Sequence, residues 1–124
     1  MSTNSESSDT ETASFVTPRR SHEVLIAMAD VFGRKWHLII LHQLLTDEVM
    51  GFSELKGEID RISSKVLSDS LERLETEHGL IERRIVNEKP VRVEYTLTER
   101  GRDLAPLVDR IHDWGVEHVG TDAE

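Results

Sequence analysis

A cluster of short polar and charged side chains follows Ile62, and its spacing would place most of them on one face of a helix. In order, they are Ser63, Ser64, Lys65, Ser68, Asp69 and Glu72. A lysine ammonium donates hydrogen bonds to guanine, a serine hydroxyl both donates and accepts, and a carboxylate accepts from the cytosine amine. Lys65 and Ser68, one turn apart, are therefore candidates for contacts to DNA base edges. The alternative is a solvated helix face that contacts only water.

The helix that would carry these residues has its own apolar stripe. Leu67, Leu71 and Leu74 are spaced by four and three residues, which predicts one buried face of a helix over 64–78. Ser63 is the expected N-cap, and Gly79 stands where a left-handed residue ends many helices. Asp69 could pair with Arg73 one turn later, which would be a purely structural role for that carboxylate.

A second short helix is predicted just upstream, over Phe52–Ile59 with Ser53 as its N-cap. Only Asp60–Ile62 separates the two helices. Two capped helices joined by such a short turn form a helix-turn-helix, whose second helix fits a DNA major groove. The hydroxyl of Ser53 would then lie near the DNA backbone.

Beyond Gly79 the apolar period changes from 3.6 to 2, which predicts a hairpin over 81–97 with its turn at 87–90. A hairpin in this position is a wing beside the helix-turn-helix. The cations Arg84, Lys89 and Arg92 would contact phosphates or the minor groove. Ordinary solubility of an exposed hairpin is the alternative explanation for their charge.

Further helices are expected on both sides of this unit, at about 21–31, 35–45 and 99–119, with Pro106 kinking the last. The fold class is α+β and mainly α: a winged helix-turn-helix with extra terminal helices. The last helix carries more apolar surface than one small domain can cover, so a second copy of the chain is the expected partner. The predicted dimer interface comprises Leu25, Met28, Leu104, Leu107, Val108, Ile111 and Trp114. The alternative is that the last helix packs wholly on its own core.

The 124 residues predict one domain, at 21–120, between a disordered acidic tail at 1–20 and a short tail at 121–124. We expect a cytoplasmic protein, because the sequence shows no transmembrane span and no signal peptide. The absence of cysteine excludes disulfides and thiol chemistry.

Net charge is the main objection to DNA binding, because the chain carries −9 and DNA binders are usually basic. Residues 52–97 hold 8 Lys or Arg against 10 Asp or Glu, so most of the excess lies elsewhere. Three explanations remain open: the protein does not bind DNA, its charges are segregated, or it works in concentrated salt. The acidic composition resembles that of proteins from salt-accumulating archaea.

If the protein works in concentrated salt, its affinity for DNA must depend only weakly on the salt concentration. A binder with about six phosphate contacts would lose roughly 10⁸ in affinity between ~0.1 M and ~3 M salt. We therefore expect solvent cations such as potassium to bridge carboxylates and DNA phosphates, which would weaken the salt dependence. No bound cofactor is expected.

Catalysis and metal binding find no support in the motifs. The six histidines form no pair at i, i+4 and no HExxH motif, so we predict no metal site. No glycine-rich phosphate loop and no nucleophile with an adjacent base is recognisable, so we predict that the protein is not an enzyme.

Three segments resemble the HxlR-type winged helix-turn-helix regulators of bacteria and archaea: Gly33–Trp36, Phe52–Leu55 and Lys89–Gly101. The likeness spans His22 to Gly115 and includes the Trp114–Gly115 pair. It implies a homodimeric transcription regulator on an inverted-repeat DNA operator, with the terminal helices forming the dimer.

Two departures from the family pattern are visible. The region around Ser21 lacks the cysteine that many members carry, so direct thiol sensing is unavailable. The helix after Ser63 is also less basic than usual. The chain is compatible with cysteine-free haloarchaeal regulators of stress, including oxidative stress. Two other functions stay open: a winged-helix protein-interaction module or transcription-machinery adaptor, and a repressor with a small-ligand pocket under its dimer helices.

Overall fold

The computed structural model describes residues 18–120. Most of the predicted acidic tail at 1–20, and all of the tail at 121–124, lie outside these residues. Residues 18–33 and residues 34–120 form two compact units.

The first unit is the helix α1, Pro18–Phe32. It begins three residues before the predicted start, because the fixed backbone angle of proline suits the first turn of a helix. Val24, Leu25 and Ile26 are 47%, 65% and 69% exposed. The helix ends at Gly33, whose amide donates to the carbonyl of Ala29 at 2.6 Å.

The second unit begins with α2, Lys35–Asp47, β1, Val49–Gly51, α3, Phe52–Glu58, and α4, Ser64–Thr76. Its core is aliphatic. The most completely buried side chains are those of His37 and of nine aliphatic residues: Ile40, Leu41, Leu44, Leu55, Leu67, Leu71, Leu74, Ile81 and Val108. The predicted stripe of α4 is confirmed, because all three of its leucines are at most 1% exposed. Gly79 is confirmed as a left-handed residue, with φ of 65°.

A three-stranded antiparallel sheet combines β1 with the two strands after α4. It consists of β1, β2, Ile81–Glu88, and β3, Val91–Leu97, in the order β1-β3-β2. The predicted hairpin is therefore present, with its turn shortened to Lys89 and Pro90. The strand β1 was not predicted, because three residues are too few to show an alternating pattern. It pairs with β3 through Met50 opposite Tyr95.

The start of α3 differs from the prediction. Gly51, not Ser53, is the N-cap, and the Gly51 amide donates to Oε1 of Glu54 at 2.7 Å. Ser53 lies one residue inside the helix and is exposed. The glutamate three residues after the cap supplies the carboxylate half of a capping box, and this leaves the Ser53 hydroxyl outside the cap.

The last predicted helix is divided. It consists of α5, Glu99–Arg102, α6, Ala105–Gly115, and a π-helical turn, Val116–Gly120. The predicted kink within one helix at Pro106 is wrong, because the proline lies in the first turn of a new helix. No amide hydrogen bond is lost there, so proline fits without a break in hydrogen bonding. Among the described residues, no helix is long and apolar enough to cross a membrane.

Thr98 joins the end of α4 to the base of the hairpin. Its hydroxyl donates to the carbonyl of Gly79 at 2.8 Å and accepts the amide of Gly101 at 3.0 Å. Its amide donates to the carbonyl of Leu80 at 3.0 Å. A side chain added at Gly101 would collide with that same carbonyl of Leu80. The packing of this junction therefore requires glycine at 101.

Candidate nucleic-acid interface

The helix pair α3–α4 has the geometry of a helix-turn-helix. The connection at 59–63 buries Ile59 and Ile62, which are 3% and 4% exposed, and leaves Asp60 and Arg61 in solvent. Arg61 adopts a left-handed backbone with φ of 70°, which produces the tight reversal. The two apolar side chains anchor the turn to the core, so α4 is held in a fixed position.

The face of α4 opposite its leucines is polar and open. Its N-cap is Ser63, as predicted, whose hydroxyl oxygen accepts the amide of Val66 at 3.1 Å. All six polar residues that were predicted to contact DNA from this helix are exposed: Ser63, Ser64, Lys65, Ser68, Asp69 and Glu72. The structure thus brings them to one accessible side of a well-anchored helix.

The charges on α4 pair differently from the prediction. Lys65 Nζ lies 3.1 Å from Oδ2 of Asp69, and Arg73 lies 2.9 Å from Oε1 of Glu77. The predicted Asp69–Arg73 pair is wrong. Asp69 lies one turn from both Lys65 and Arg73, and Arg73 lies one turn from both Asp69 and Glu77. The observed arrangement gives each of the two cations a carboxylate, whereas an Asp69–Arg73 pair would leave Lys65 without one.

The cations of the hairpin also contact carboxylates of their own chain. Arg92 lies 3.3 Å from Oε2 of Glu94 and 3.9 Å from Oε1 of Glu54 in the first turn of α3. Lys89 occupies the exposed turn. Arg92 therefore lies where the hairpin meets the first turn of α3, and its predicted phosphate contact stays a prediction.

Arg84 shares the sheet face of Glu94 and Arg92 and lies farther from the hairpin turn. It is opposite Glu94 in the sheet and 3.6 Å from Glu82, whereas its neighbour Arg83 is opposite Tyr95. Arg84 lines a depression with Thr96, Glu99 and other residues of the sheet and α5. Because side chains alternate along a strand, Arg84 is on the sheet face away from α4. Arg84 was predicted to contact phosphates or the minor groove, and its position on this face does not favour a contact beside α4.

Two exposed side chains near α4 were missed from the sequence. Val66 is 37% exposed in the first turn of α4, and Arg83 lines a groove between α4 and the sheet. Val66 falls outside the stripe formed by the three leucines. The spacing of the apolar residues could therefore have predicted that Val66 is exposed. Choosing Arg83 over Arg84 required the strand register, which the sequence does not specify.

The predicted dimer residues divide into exposed and buried groups. Leu107, Ile111 and Trp114 on α6 are 42%, 36% and 52% exposed, and Leu25 on α1 is 65% exposed. Met28 and Leu104 are half-buried. The prediction is revised for Val108, which is 1% exposed in the single chain and already belongs to the protomer's core. One face of α6 therefore packs inward and another stays open.

The fold and this polar helix define a winged helix-turn-helix protein. The chain belongs to the HxlR-like helix-turn-helix family, whose pattern it matches over residues 31–123. It is 38% identical over 90 residues to the HTH-type transcriptional regulator YvaP of Bacillus subtilis, covering 73% of this chain and 82% of that protein. The protein described here is therefore a helix-turn-helix transcription regulator.

Solved structures agree with this assignment. The HTH-type transcriptional regulator YtcD superposes with a TM-score of 0.71 at 38% identity, covering 77% of this chain and 96% of that one. The redox regulator HypR in its reduced form superposes with a TM-score of 0.69 at 32% identity, covering 75% and 90%. The winged-helix architecture and the mainly helical class are thus confirmed.

Proposed function

We propose that the protein binds double-stranded DNA as a homodimer on an inverted-repeat operator and thereby regulates transcription. The observation that carries the proposal is the exposed polar face of α4, anchored by three leucines and flanked by a hairpin. In a dimer, each α4 would enter a major groove. The two half-sites would then be about 34–36 Å apart, or a multiple of that spacing.

Base recognition would come from the first half of α4. Lys65 would donate to guanine, while Ser68, one turn later, lines the groove between α4 and the sheet. The exposed methyl groups of Val66 suit contact with a thymine methyl group. Asp69 and Glu72 can accept hydrogen bonds only, so a cytosine amine is the base group they would tolerate.

Backbone contacts would come from the elements around α4. Ser53 in the first turn of α3, and Ser63 and Ser64 at the start of α4, are exposed and can approach phosphates. Lys89 and Arg92 supply positive charge from the hairpin. These contacts would fix the position of α4 without selecting a sequence.

Dimerisation would use the open face of α6 together with α1. Leu107, Ile111 and Trp114 are spaced by four and three residues, so they form one apolar stripe on α6. Leu25 and its neighbours give α1 an exposed apolar surface of its own. Contact with a second copy would remove these side chains from water and would set the distance between the two α4 helices.

The ion pairs of the interface bear on salt dependence. Lys65 and Arg92 are both held by carboxylates of their own chain, at 3.1 Å and 3.3 Å. When a guanine replaces the carboxylate at Lys65 and a DNA phosphate replaces the carboxylate at Arg92, the freed carboxylates would take up solvent cations such as potassium. Uptake opposes the usual release of counterions, so affinity should depend weakly on salt. This suits an acidic protein that works in concentrated salt, in a halophilic archaeon.

A role in a stress response that includes oxidants is a further part of the proposal. HypR, one of the similar proteins, is a redox regulator. The present chain has no cysteine, so an oxidant signal would have to reach it through a group other than a thiol.

A gel-shift experiment tests the proposal. The purified protein is mixed with genomic fragments in ~2 M KCl, with unlabelled competitor. Specific bands are expected, and footprints should be two-fold symmetric. Binding to no fragment would instead favour a protein-interaction adaptor. A KCl titration of operator binding should give a slope well shallower than the roughly −5 of a conventional binder with six contacts. A slope near −5 would contradict the proposal that the freed carboxylates take up solvent cations.

A further inference from the structure

Arg83 and Arg84 are adjacent in the chain but lie on opposite faces of the hairpin. Arg83 is opposite Tyr95 in β3, and Tyr95 is a core residue that is 8% exposed. Arg84 is opposite Glu94. The face with Tyr95 is the one that packs toward α4, so Arg83 is the arginine on the side of the reading helix.

Arg83 lines an open groove between α4 and the sheet, with a volume of about 300 Å³. The other lining residues are Ser68, Glu72, Glu75, Thr76 and Tyr95. The Thr76 hydroxyl donates to the Glu72 carbonyl at 2.8 Å, so its proton is already committed. The guanidinium of Arg83 and the hydroxyls of Ser68 and Tyr95 are therefore the remaining donors that line the groove.

Arg83 also differs from its neighbours in its charge environment. Lys65, Arg73, Arg84 and Arg92 each lie within 4 Å of a carboxylate. Within the part of the chain that the structure describes, Arg83 forms no such ion pair. An arginine presents five N–H donors in a planar fork that fits two phosphate oxygens at once. Arg83 can offer that fork without giving up a carboxylate partner.

We propose that Arg83 binds a phosphate of the DNA backbone in the groove between α4 and the wing. This inference rests on the proposed function, because it needs α4 in a major groove. The strand bordering that major groove then passes between α4 and the hairpin, and the groove with Arg83 at its wall receives one of its phosphates. The Ser68 hydroxyl donates a second hydrogen bond to the same phosphate.

The carboxylates of Glu72 and Glu75 make phosphate binding in this groove depend on the salt concentration. Both line the groove, and both repel a phosphate there. Repulsion between separated charges is screened by salt, whereas a direct bidentate contact is screened much less. The repulsion from Glu72 and Glu75 therefore fades in concentrated salt more than the direct contact of Arg83 does.

Two variants with the same change of charge test the inference: Arg83→Gln and Arg84→Gln. Affinity for an operator fragment identified with the wild-type protein is measured at ~0.2 M and ~2 M KCl. We expect Arg83→Gln to bind all sequences about tenfold or more weakly, as the loss of one phosphate contact requires. Arg84→Gln should stay within about twofold of the wild type. Thermal unfolding of both variants shows whether each is folded.

Phosphate ethylation interference locates the contact. Ethylation of one backbone phosphate per half-site should inhibit the wild type but should no longer matter for Arg83→Gln. Equal losses for the two arginine variants, or a greater loss for Arg84→Gln, would overturn the inference while leaving DNA binding intact. If Arg83→Gln does not fold, the ethylation pattern of Ser68→Ala decides: an unchanged pattern counts against the groove. If the wild type binds no duplex, the proposed function and this inference both fail.

Discussion

Lys65 and Asp69 form an ion pair across one turn of α4, with Nζ 3.1 Å from Oδ2. The two side chains are 84% and 62% exposed, so water competes for both charges. Pairs of this kind contribute only about 0.2–0.5 kcal/mol to a helix. Lys65 can therefore exchange its bond to Asp69 for a bond to guanine at little cost in free energy. Before DNA binds, the pair keeps the lysine on the exposed face of α4 that would enter the major groove.

Loss of Lys65 should alter sequence preference. Lys65→Ala should reduce discrimination at one base pair of each half-site by about 1–3 kcal/mol, because the donor to guanine is gone. Arg92→Ala is the matched comparison, since it should weaken binding to all sequences alike. Binding to a library of operator variants measures both. Uniform losses from both variants would mean that α4 does not read bases.

Asp69→Asn should strengthen DNA binding at low salt. The substitution keeps the shape of the side chain but removes a charge that repels phosphate and holds Lys65. We expect a severalfold gain in affinity at ~0.1 M KCl that disappears by ~2 M, because salt screens exposed charges. Fluorescence anisotropy with a labelled operator measures the gain. An equal gain at both concentrations would show that the effect is not electrostatic.

A charge on the open face of α6 should disrupt the proposed dimer. Leu107→Glu would bury an unpaired carboxylate between the copies, which costs several kcal/mol and should weaken association by roughly 10²–10³-fold. Val49→Glu is the control, because Val49 is a similarly exposed apolar residue on β1. Sedimentation equilibrium measures the association. A dimer that tolerates Leu107→Glu would place the interface elsewhere.

Two glycines should respond oppositely to alanine. Gly79 has φ of 65°, so Gly79→Ala should lower the free energy of unfolding by about 1–2 kcal/mol. Its new methyl group would meet only Arg100 Cδ at 3.9 Å, so the cost is conformational and not steric. Gly57 lies within α3 with nothing within 4 Å of an added Cβ, and Gly57→Ala should raise it by about 0.5–1 kcal/mol. Urea unfolding distinguishes the two, and a loss in both would contradict the assignment of strain to Gly79 alone.

Periodicity was enough to predict the parts of the fold that are set locally. The stripe of Leu67, Leu71 and Leu74, the cap at Ser63 and the reversal at Gly79 each depend on residues within one or two turns. The helix-turn-helix and the hairpin followed from these elements and their short connections.

What the sequence could not specify depends on partners distant in the chain. Arg83 and Arg84 are equivalent until Tyr95 and Glu94 fix the strand register. His37, a polar residue by type, is 1% exposed and packs its ring against that of His78 at 5.9 Å, a position that no local pattern marks. Val108 follows the same stripe as its neighbours on α6, and only packing within the protomer decides that it is buried.

The hydroxyl of Thr98 bonds both the segment that leaves α4 and the first turn after β3. One small side chain thus couples the two parts that would touch the major groove and the flanking backbone. The distance between these two parts is already fixed in the free protomer. DNA binding would therefore cost little conformational entropy at this junction. With a flexible connection, α4 and the hairpin could bind DNA at variable distances from each other. The protein would then no longer select for a fixed spacing between the two contacts along the duplex.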